Sequence, residues 1–209
     1  MIMCPVCGYS EQENVNMIST SDLQKKRWHD IFMIHALSTW WISQPRWVWN
    51  ELKRLSICPK NILDIGCGDG RWLPGLREIF PKSGYLGIDR LSEHILLNCE
   101  NIPEEKWLRA DFTDLILEPK YDCVLFGGTF NPKMIEEKEK HILEKTKELN
   151  PTWIICLYDL NQSGYYPHSY ISDKYELVNT LTIPKDEMDE RQHNVVWIFE
   201  NQNGSRIKK

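Results

Sequence analysis

From residue 61 onward, short apolar runs alternate with stretches whose apolar residues recur at helical spacing. Asn61–Ile65, Tyr85–Asp89, Trp107–Asp111, Tyr121–Phe126 and Trp153–Leu157 read as strands, because they are brief, branched or aromatic, and bounded by glycine, proline or charge. Between them, Arg71–Phe80 (stopped by Pro81), Ser92–Asn98 and residues 133–149 read as helices. In the last of these, Ile135, Ile142 and Leu149 mark a narrow apolar stripe among alternating lysines and glutamates, the pattern of a solvated outer face. Two more β-rich runs follow, Tyr175–Ile183 and Val195–Glu200. Only Pro184–Asn194 separates them, too little for a crossover helix, so a hairpin and one antiparallel late strand are expected. Strands that alternate with helices require right-handed crossovers. The pattern therefore predicts an α/β fold with a doubly wound, mostly parallel sheet.

Upstream, residues 1–20 are polar and turn-rich after an initial cysteine pair. Ser21-Asp22 is placed to cap a helix from Leu23 towards Ile42, and Pro45 should interrupt it before a second helix over Trp47–Leu55. The chain divides into an N-terminal segment and helical cap (1–59), a sheet domain (60–200) and a flexible tail (201–209).

Composition narrows the function. The chain has 209 residues and a net charge of −5, which argues against a general nucleic-acid binder with its basic surface. Seven scattered cysteines are no disulfide framework and suit a reducing compartment. No secretory signal is visible, and the longest mostly apolar stretch, Ile31–Ile42, falls short of the ~20 residues needed to span a bilayer. A cytoplasmic protein without membrane partners is expected; its oligomeric state is not legible.

The central motif is Leu63-Asp64-Ile65-Gly66-Cys67-Gly68-Asp69-Gly70, three alternating glycines between a strand and a helix. Glycine lets the backbone turn tightly and approach a ligand that any Cβ would hold off. In doubly wound sheets such a loop lies at the carboxyl ends of the strands, where ligands bind. Asp89 ends the second strand, placed to accept hydrogen bonds from both hydroxyls of a ribose. The dinucleotide fingerprint Gly-x-Gly-x-x-Gly fails, because Arg71 stands where its third glycine should be. A carboxylate at Asp64 would repel a pyrophosphate but suits a ligand bearing an ammonium group.

With these residues the chain resembles the class I S-adenosylmethionine-dependent methyltransferases, over about residues 60–160 and in strand order as far as 200. The resemblance implies a Rossmann-like domain with S-adenosylmethionine as cofactor. It implies that Asp64, Gly66, Cys67, Gly68 and Gly70 wrap the methionine part and that Asp89 binds the ribose, with Arg90 beside it. Asp111 and Phe112 would meet the adenine, and Gly127 and Gly128 would pass the amino-acid end and the transferred methyl. Arg90 and Leu91 depart from the family pattern, in which an apolar residue and a small cap often follow the ribose acid.

The acceptor side is less marked. Trp28, Trp40, Trp41, Trp47 and Trp49 precede the glycine loop, where the resemblance places helices that close the site; core packing is the competing role. Trp40, Trp41, Thr129, Tyr158 and Tyr165 are candidate acceptor contacts. Asp159 and His168, on the loop after the fifth strand, are candidate general bases, against ordinary roles as a turn residue and an exposed histidine. The amino-methyltransferase signature Asp/Asn-Pro-Pro-Tyr is absent: Asn131-Pro132 is followed by Lys133 and Met134. Together with the acidic charge, this favours a small-molecule acceptor over nucleic acid. Cys4 and Cys7 are either half of a zinc site without its other ligands or two unbridged thiols. A non-catalytic relative that binds the cofactor or a partner is the competing functional class.

Overall fold

Alternation along the strands sends successive side chains to opposite faces of the sheet, and here both faces are apolar. Ile62, Cys123, Leu125, Ile155, Leu157, Val196 and Ile198 point to one side. Leu63, Ile65, Val124, Phe126, Ile154, Cys156, Val195, Trp197 and Phe199 point to the other. Such strands must be covered twice, which the intervening helices do.

The structure is a computed structural model and describes residues 2–3, 10–11, 39–118, 120–127, 129–130, 136–159, 168–183 and 194–202. β1 (Ile2–Met3) and β2 (Ser10–Glu11) pair antiparallel. The main sheet contains β3 (Asn61–Ile65), β4 (Gly84–Asp89), β5 (Lys106–Arg109), β6 (Cys123–Gly127), β7 (Trp153–Asp159), β8 (Tyr175–Thr182) and β9 (Asn194–Asn201), in the order β5-β4-β3-β6-β7-β9-β8. β3 to β7 are mutually parallel. β9 inserts antiparallel between β7 and β8, the expected late reversal.

On the first face lie α1 (Thr39–Arg54), α2 (Leu73–Ile79) and α3 (Ser92–Asn101), through Val48, Trp49, Leu52, Leu73, Leu76, Ile95 and Cys99. On the second lie α4 (Glu136–Leu149) and the short α5 (His168–Ile171), through Ile142, Leu143, Leu149 and Ile171. The Gly70–Leu73 and Asp89–Ser92 connections leave the same edge of the sheet, and β6 ends there at Gly127.

Two expectations need correction. Pro45 does not break the chain into two helices: α1 runs continuously through it from Thr39 to Arg54. The proline forfeits one intrahelical hydrogen bond, but burial of Val48, Trp49 and Leu52, all fully inaccessible, outweighs local propensity. Residue 201 belongs to the sheet and not to a tail. Asn201 ends β9, and its side-chain amide donates to the Pro151 carbonyl at 3.2 Å. The cap over residues 23–38 and the Cys4–Cys7 pair lie outside the described residues.

α1 and α2 cross at Gly75, where a Cβ would lie 2.9 Å from the Arg46 Cα and 3.0 Å from its nitrogen. Gly75→Ala should therefore destabilise the fold by about 1–3 kcal/mol, although alanine is the better helix former. Urea unfolding midpoints of the two proteins measure this.

Candidate active site

The reversal of strand order beside β3 opens a crevice at the carboxyl edge of the sheet. The glycine loop lies there. Gly66, Gly68 and Gly70 all have positive φ, at 74°, 53° and 72°, a region that costs any residue with a Cβ. Gly66 is also closed over: a Cβ there would lie 2.7 Å from the Thr129 hydroxyl oxygen. Gly68 is open, with no atom nearer such a Cβ than the His94 ring at 3.9 Å.

Four amides of this loop are committed to the protein. Gly66 and Cys67 N–H both donate to the Ile88 carbonyl, at 2.8 and 3.0 Å. Gly68 N–H donates to Asp89 Oδ2 at 2.9 Å, and Gly70 N–H to the Cys67 carbonyl at 3.0 Å. A phosphate cradle needs such amides unengaged and facing the ligand. Here the loop instead presents bare glycine backbone, ringed by the carboxylates of Asp64, Asp69 and Asp89. Arg71 offsets Asp69, at 2.9 Å. The remaining field favours a ligand with positive charge over a pyrophosphate.

Asp89 is anchored by its second oxygen, Oδ1, which accepts from Leu91 N–H at 2.8 Å. Burial pushes its carboxyl upward, but the His94 imidazole and the Leu91 and Gly68 amides outweigh this and hold it below the ordinary value. A carboxylate has about four acceptor positions, so Asp89 keeps capacity for a donor from a ligand. His94, on α3, lies with Nδ1 3.5 Å from Asp89 Oδ2.

Asp64 differs in kind. It is fully buried on the first face of β3, between the Gly87 and Leu125 backbones in register. Its Oδ2 accepts from the Tyr85 hydroxyl at 2.7 Å, while Oδ1 has no hydrogen-bond partner among the described residues. Burial drives its pKa up to about 7, against the Tyr85 hydrogen bond, with Asp89 adding to the rise. A buried acceptor with nothing to accept is costly, and a cation brought beside it would relieve that cost.

Two indoles outside the N-terminal segment support this edge. The Trp107 ring fills the space a Cβ at Gly87 or Gly70 would take, at 2.6 and 2.8 Å, and its N–H donates to the Ile102 carbonyl at 3.0 Å. The Trp72 ring occupies the Cβ position of Gly127, and its N–H donates to the Gly127 carbonyl at 3.3 Å. Trp49 donates to the Trp72 carbonyl at 2.9 Å, so a relay of two indoles links α1 to the end of β6. Asn98 on α3 clamps the loop from below, donating to the Gly68 carbonyl at 2.8 Å. Sequence reading missed Trp72, Trp107, Asn98 and the inward aim of His94. The one local cue was bulky aromatics near glycines, which says nothing about which pairs meet.

The other predicted residues divide. Cys67 is buried, and burial keeps its thiol protonated. Arg90 is exposed at the rim, and Leu91 beside it is 45% exposed. Asp111 caps a 3₁₀ turn over Phe112–Asp114, accepting from Thr113 N–H at 3.2 Å, and pairs with Lys138 at 2.8 Å. Burial raises the Asp111 carboxyl, but Lys138 and Thr113 prevail and lower it. Phe112 is packed into the second core with the Lys145 ammonium 5.6 Å from its ring centre. Thr129 donates its hydroxyl to the Ile65 carbonyl. Trp49 is core, while Trp40 and Trp41 stand in the first turn of α1. Tyr158 and Asp159 end β7 at the carboxyl edge, and His168 opens α5. Gly128 and Tyr165 lie outside the described residues, as do Cys4 and Cys7. Among the described residues no cluster of three or more His, Cys, Asp or Glu could hold a metal ion.

Asp64 gives this geometry a pH signature. An acid whose folded pKa is raised binds more protons folded than unfolded between the ordinary value of 3.8 and about 7. Stability then falls by up to ~1.4 kcal/mol per pH unit across that window and levels off above it. Asp64→Asn should therefore stabilise the ligand-free protein near neutral pH and above, and the gain should vanish towards pH ~4. Urea titrations at several pH values measure it.

Comparison with known proteins agrees with this architecture. No family model matches the chain. Trans-aconitate 2-methyltransferase of Rhodopseudomonas palustris is 24% identical over 86 residues, 41% of this chain and 33% of that protein, so the match spans about a third of the relative's length. A TehB-like S-adenosylmethionine-dependent methyltransferase from Corynebacterium glutamicum superposes with a TM-score of 0.65 at 16% identity, covering 87% of this chain and 100% of the other. Magnesium protoporphyrin IX methyltransferase from Synechocystis, with S-adenosylmethionine bound, gives 0.59 at 13% identity over 92% of this chain and 87% of its own. The N-methyltransferase NodS from Bradyrhizobium japonicum, with S-adenosylhomocysteine bound, gives 0.62 at 12% identity over 75% and 85%. With its strand order, its reversed β9 and its glycine loop after β3, the chain has the fold of the class I S-adenosylmethionine-dependent methyltransferases.

Proposed function

We propose that this protein is a methyltransferase that uses S-adenosylmethionine to methylate a small molecule. The observation that carries the reading is the glycine loop with four amides, those of Gly66, Cys67, Gly68 and Gly70, engaged within the protein beside three carboxylates. That arrangement suits a nucleoside with a cationic amino-acid tail and disfavours a dinucleotide. The residues present fit the cofactor. Asp89 retains acceptor positions for a ribose diol, the open face of Gly68 leaves room for a ligand, and the orphaned Asp64 Oδ1 invites a positive group.

When bound, the cofactor supplies a methyl group already activated on a sulfonium, so alignment and exclusion of water carry much of the rate. The chain's part is to bind and orient. Asp89 fixes the ribose end, the Gly66–Gly70 loop lets the ligand lie against backbone, and the Trp72–Gly127 contact holds the end of β6 where the acceptor would approach. Asp159, at the carboxyl end of β7, and His168, which opens α5, are the proposed groups for taking a proton from the acceptor. The proposed acceptor is small because the chain is acidic, lacks Asp/Asn-Pro-Pro-Tyr, is similar in sequence over 86 residues to an enzyme named for trans-aconitate, and shares its fold with one named for magnesium protoporphyrin IX. No helix among the described residues is long and apolar enough to cross a membrane; with the scattered cysteines, this supports a cytoplasmic setting. The proposed organisation is an N-terminal segment and helical cap over residues 1–59, attached to the cofactor domain.

Calorimetric titration with S-adenosylhomocysteine tests the reading. The expected outcome is micromolar binding, weakened at least ~100-fold in Asp89→Ala, where charged hydrogen bonds worth ~1.5–3 kcal/mol each are lost. Binding of NAD with no response to S-adenosylhomocysteine would sink it. Binding without methyl transfer across a broad panel of small acceptors would favour a non-catalytic cofactor-binding relative.

A further inference from the structure

His94 is the side chain that the proposed reaction leaves without a role. It stands on the first turns of α3, its side chain is 22% exposed, and its ring is the nearest atom group to the open face of Gly68. Nδ1 is 3.5 Å from Asp89 Oδ2, the same oxygen that accepts from Gly68 N–H. The imidazole, the Asp89 carboxylate and the open glycine thus meet at one point on the wall of the crevice. The charged groups facing the imidazole are Asp89 at the end of β4 and Asp69 and Arg71 in the loop after β3.

Acceptor arithmetic makes this arrangement consequential. Of about four acceptor positions on a carboxylate, the Leu91 and Gly68 amides take one each, and His94 faces a third. A vicinal diol needs two. A protonated His94 and a bound diol therefore compete for Asp89. We propose that His94 is a positioning residue for Asp89: it holds the carboxylate against the wall at Gly68 and gives it up to a vicinal diol, so that binding a nucleoside ligand releases a proton. This rests on the cofactor reading above. The neighbouring Asp89 carboxylate, 3.5 Å away, holds the His94 imidazole protonated above its usual value, against the effect of burial. The sign follows. Below its ligand-free midpoint, His94 must lose a proton as the diol binds, so affinity falls as pH falls and rises with pH until His94 is already neutral.

The experiment is calorimetry of the full chain with S-adenosylhomocysteine between about pH 6 and about pH 8, in buffers of different ionisation enthalpy. Wild type should bind roughly threefold to tenfold more tightly at the upper end, and the buffer dependence should show proton release. His94→Gln, which keeps a polar group beside Asp89 but cannot titrate, should still bind and show a smaller proton release and a shallower pH dependence than wild type, the remainder belonging to Asp64, whose carboxyl is pushed up to about 7. Imidazole NMR of the wild type supplies a readout that needs no variant: the His94 resonance, assigned by its absence in His94→Gln, should titrate at lower pH with ligand bound. Tight but pH-independent binding by wild type, or the wild-type pH dependence persisting in His94→Gln, overturns the role of His94 and leaves the cofactor reading standing. No binding by wild type at any pH overturns both.

Discussion

Two backbone amides, Gly66 and Cys67, converge on a single carbonyl, that of Ile88. This bifurcation carries the pairing of β3 and β4 beyond the end of β3 and bends the chain across its neighbour. Only backbone with positive φ can make the turn that follows, which is why three glycines alternate there. The turn in turn brings Gly68 N–H to Asp89, one residue beyond Ile88, and fixes the carboxylate. The ligand chemistry of the crevice depends on this: the same contacts that shape the loop remove four of its amides from service as phosphate donors.

Around that junction the protein uses large rigid side chains where the main chain comes closest. Trp107 lies where Gly87 has no side chain, and Trp72 where Gly127 has none. Each indole has one polar atom, and each gives it to a backbone carbonyl. The crevice floor is therefore stiff on two sides. Asp64 is the exception within it, a carboxyl on an otherwise apolar face with one oxygen unanswered. Stability is sacrificed at that position, and a function for the charge is the economical explanation.

Much of this was legible in the sequence because it is local. The strand–glycine–helix succession, Asp89 at a strand end and the short spacer before the last strand each occupy one contiguous stretch, and their period or turn chemistry survives without tertiary information. What escaped was non-local or contested. Nothing near Trp72 announces Gly127, 55 residues on. His94 follows Ser92 and Glu93 in sequence and reads as solvated; only the path of α3 turns it towards Asp89. Pro45 carries a clear local signal to stop a helix, and the burial of Val48, Trp49 and Leu52 overrules it. Asp111 and Phe112 were recognised by motif, yet their surroundings are a capped turn with Lys138 and a core site under Lys145, neither of which a motif encodes.

The place of β9 has a consequence for how the chain assembles. β9 is the last strand in sequence, but it lies between β7 and β8, hydrogen-bonded along both. β8 has no partner in the sheet until β9 has docked, and β7 remains an open edge until the same moment. A ribosome that has released residues up to 183 thus exposes a parallel sheet with a long unpaired strand beside it, the kind of intermediate most prone to pairing with the wrong chain. Closure of the sheet is then one late, non-local event. Truncations or slow codons between residues 184 and 201 would burden folding yield far more than their distance from the crevice suggests.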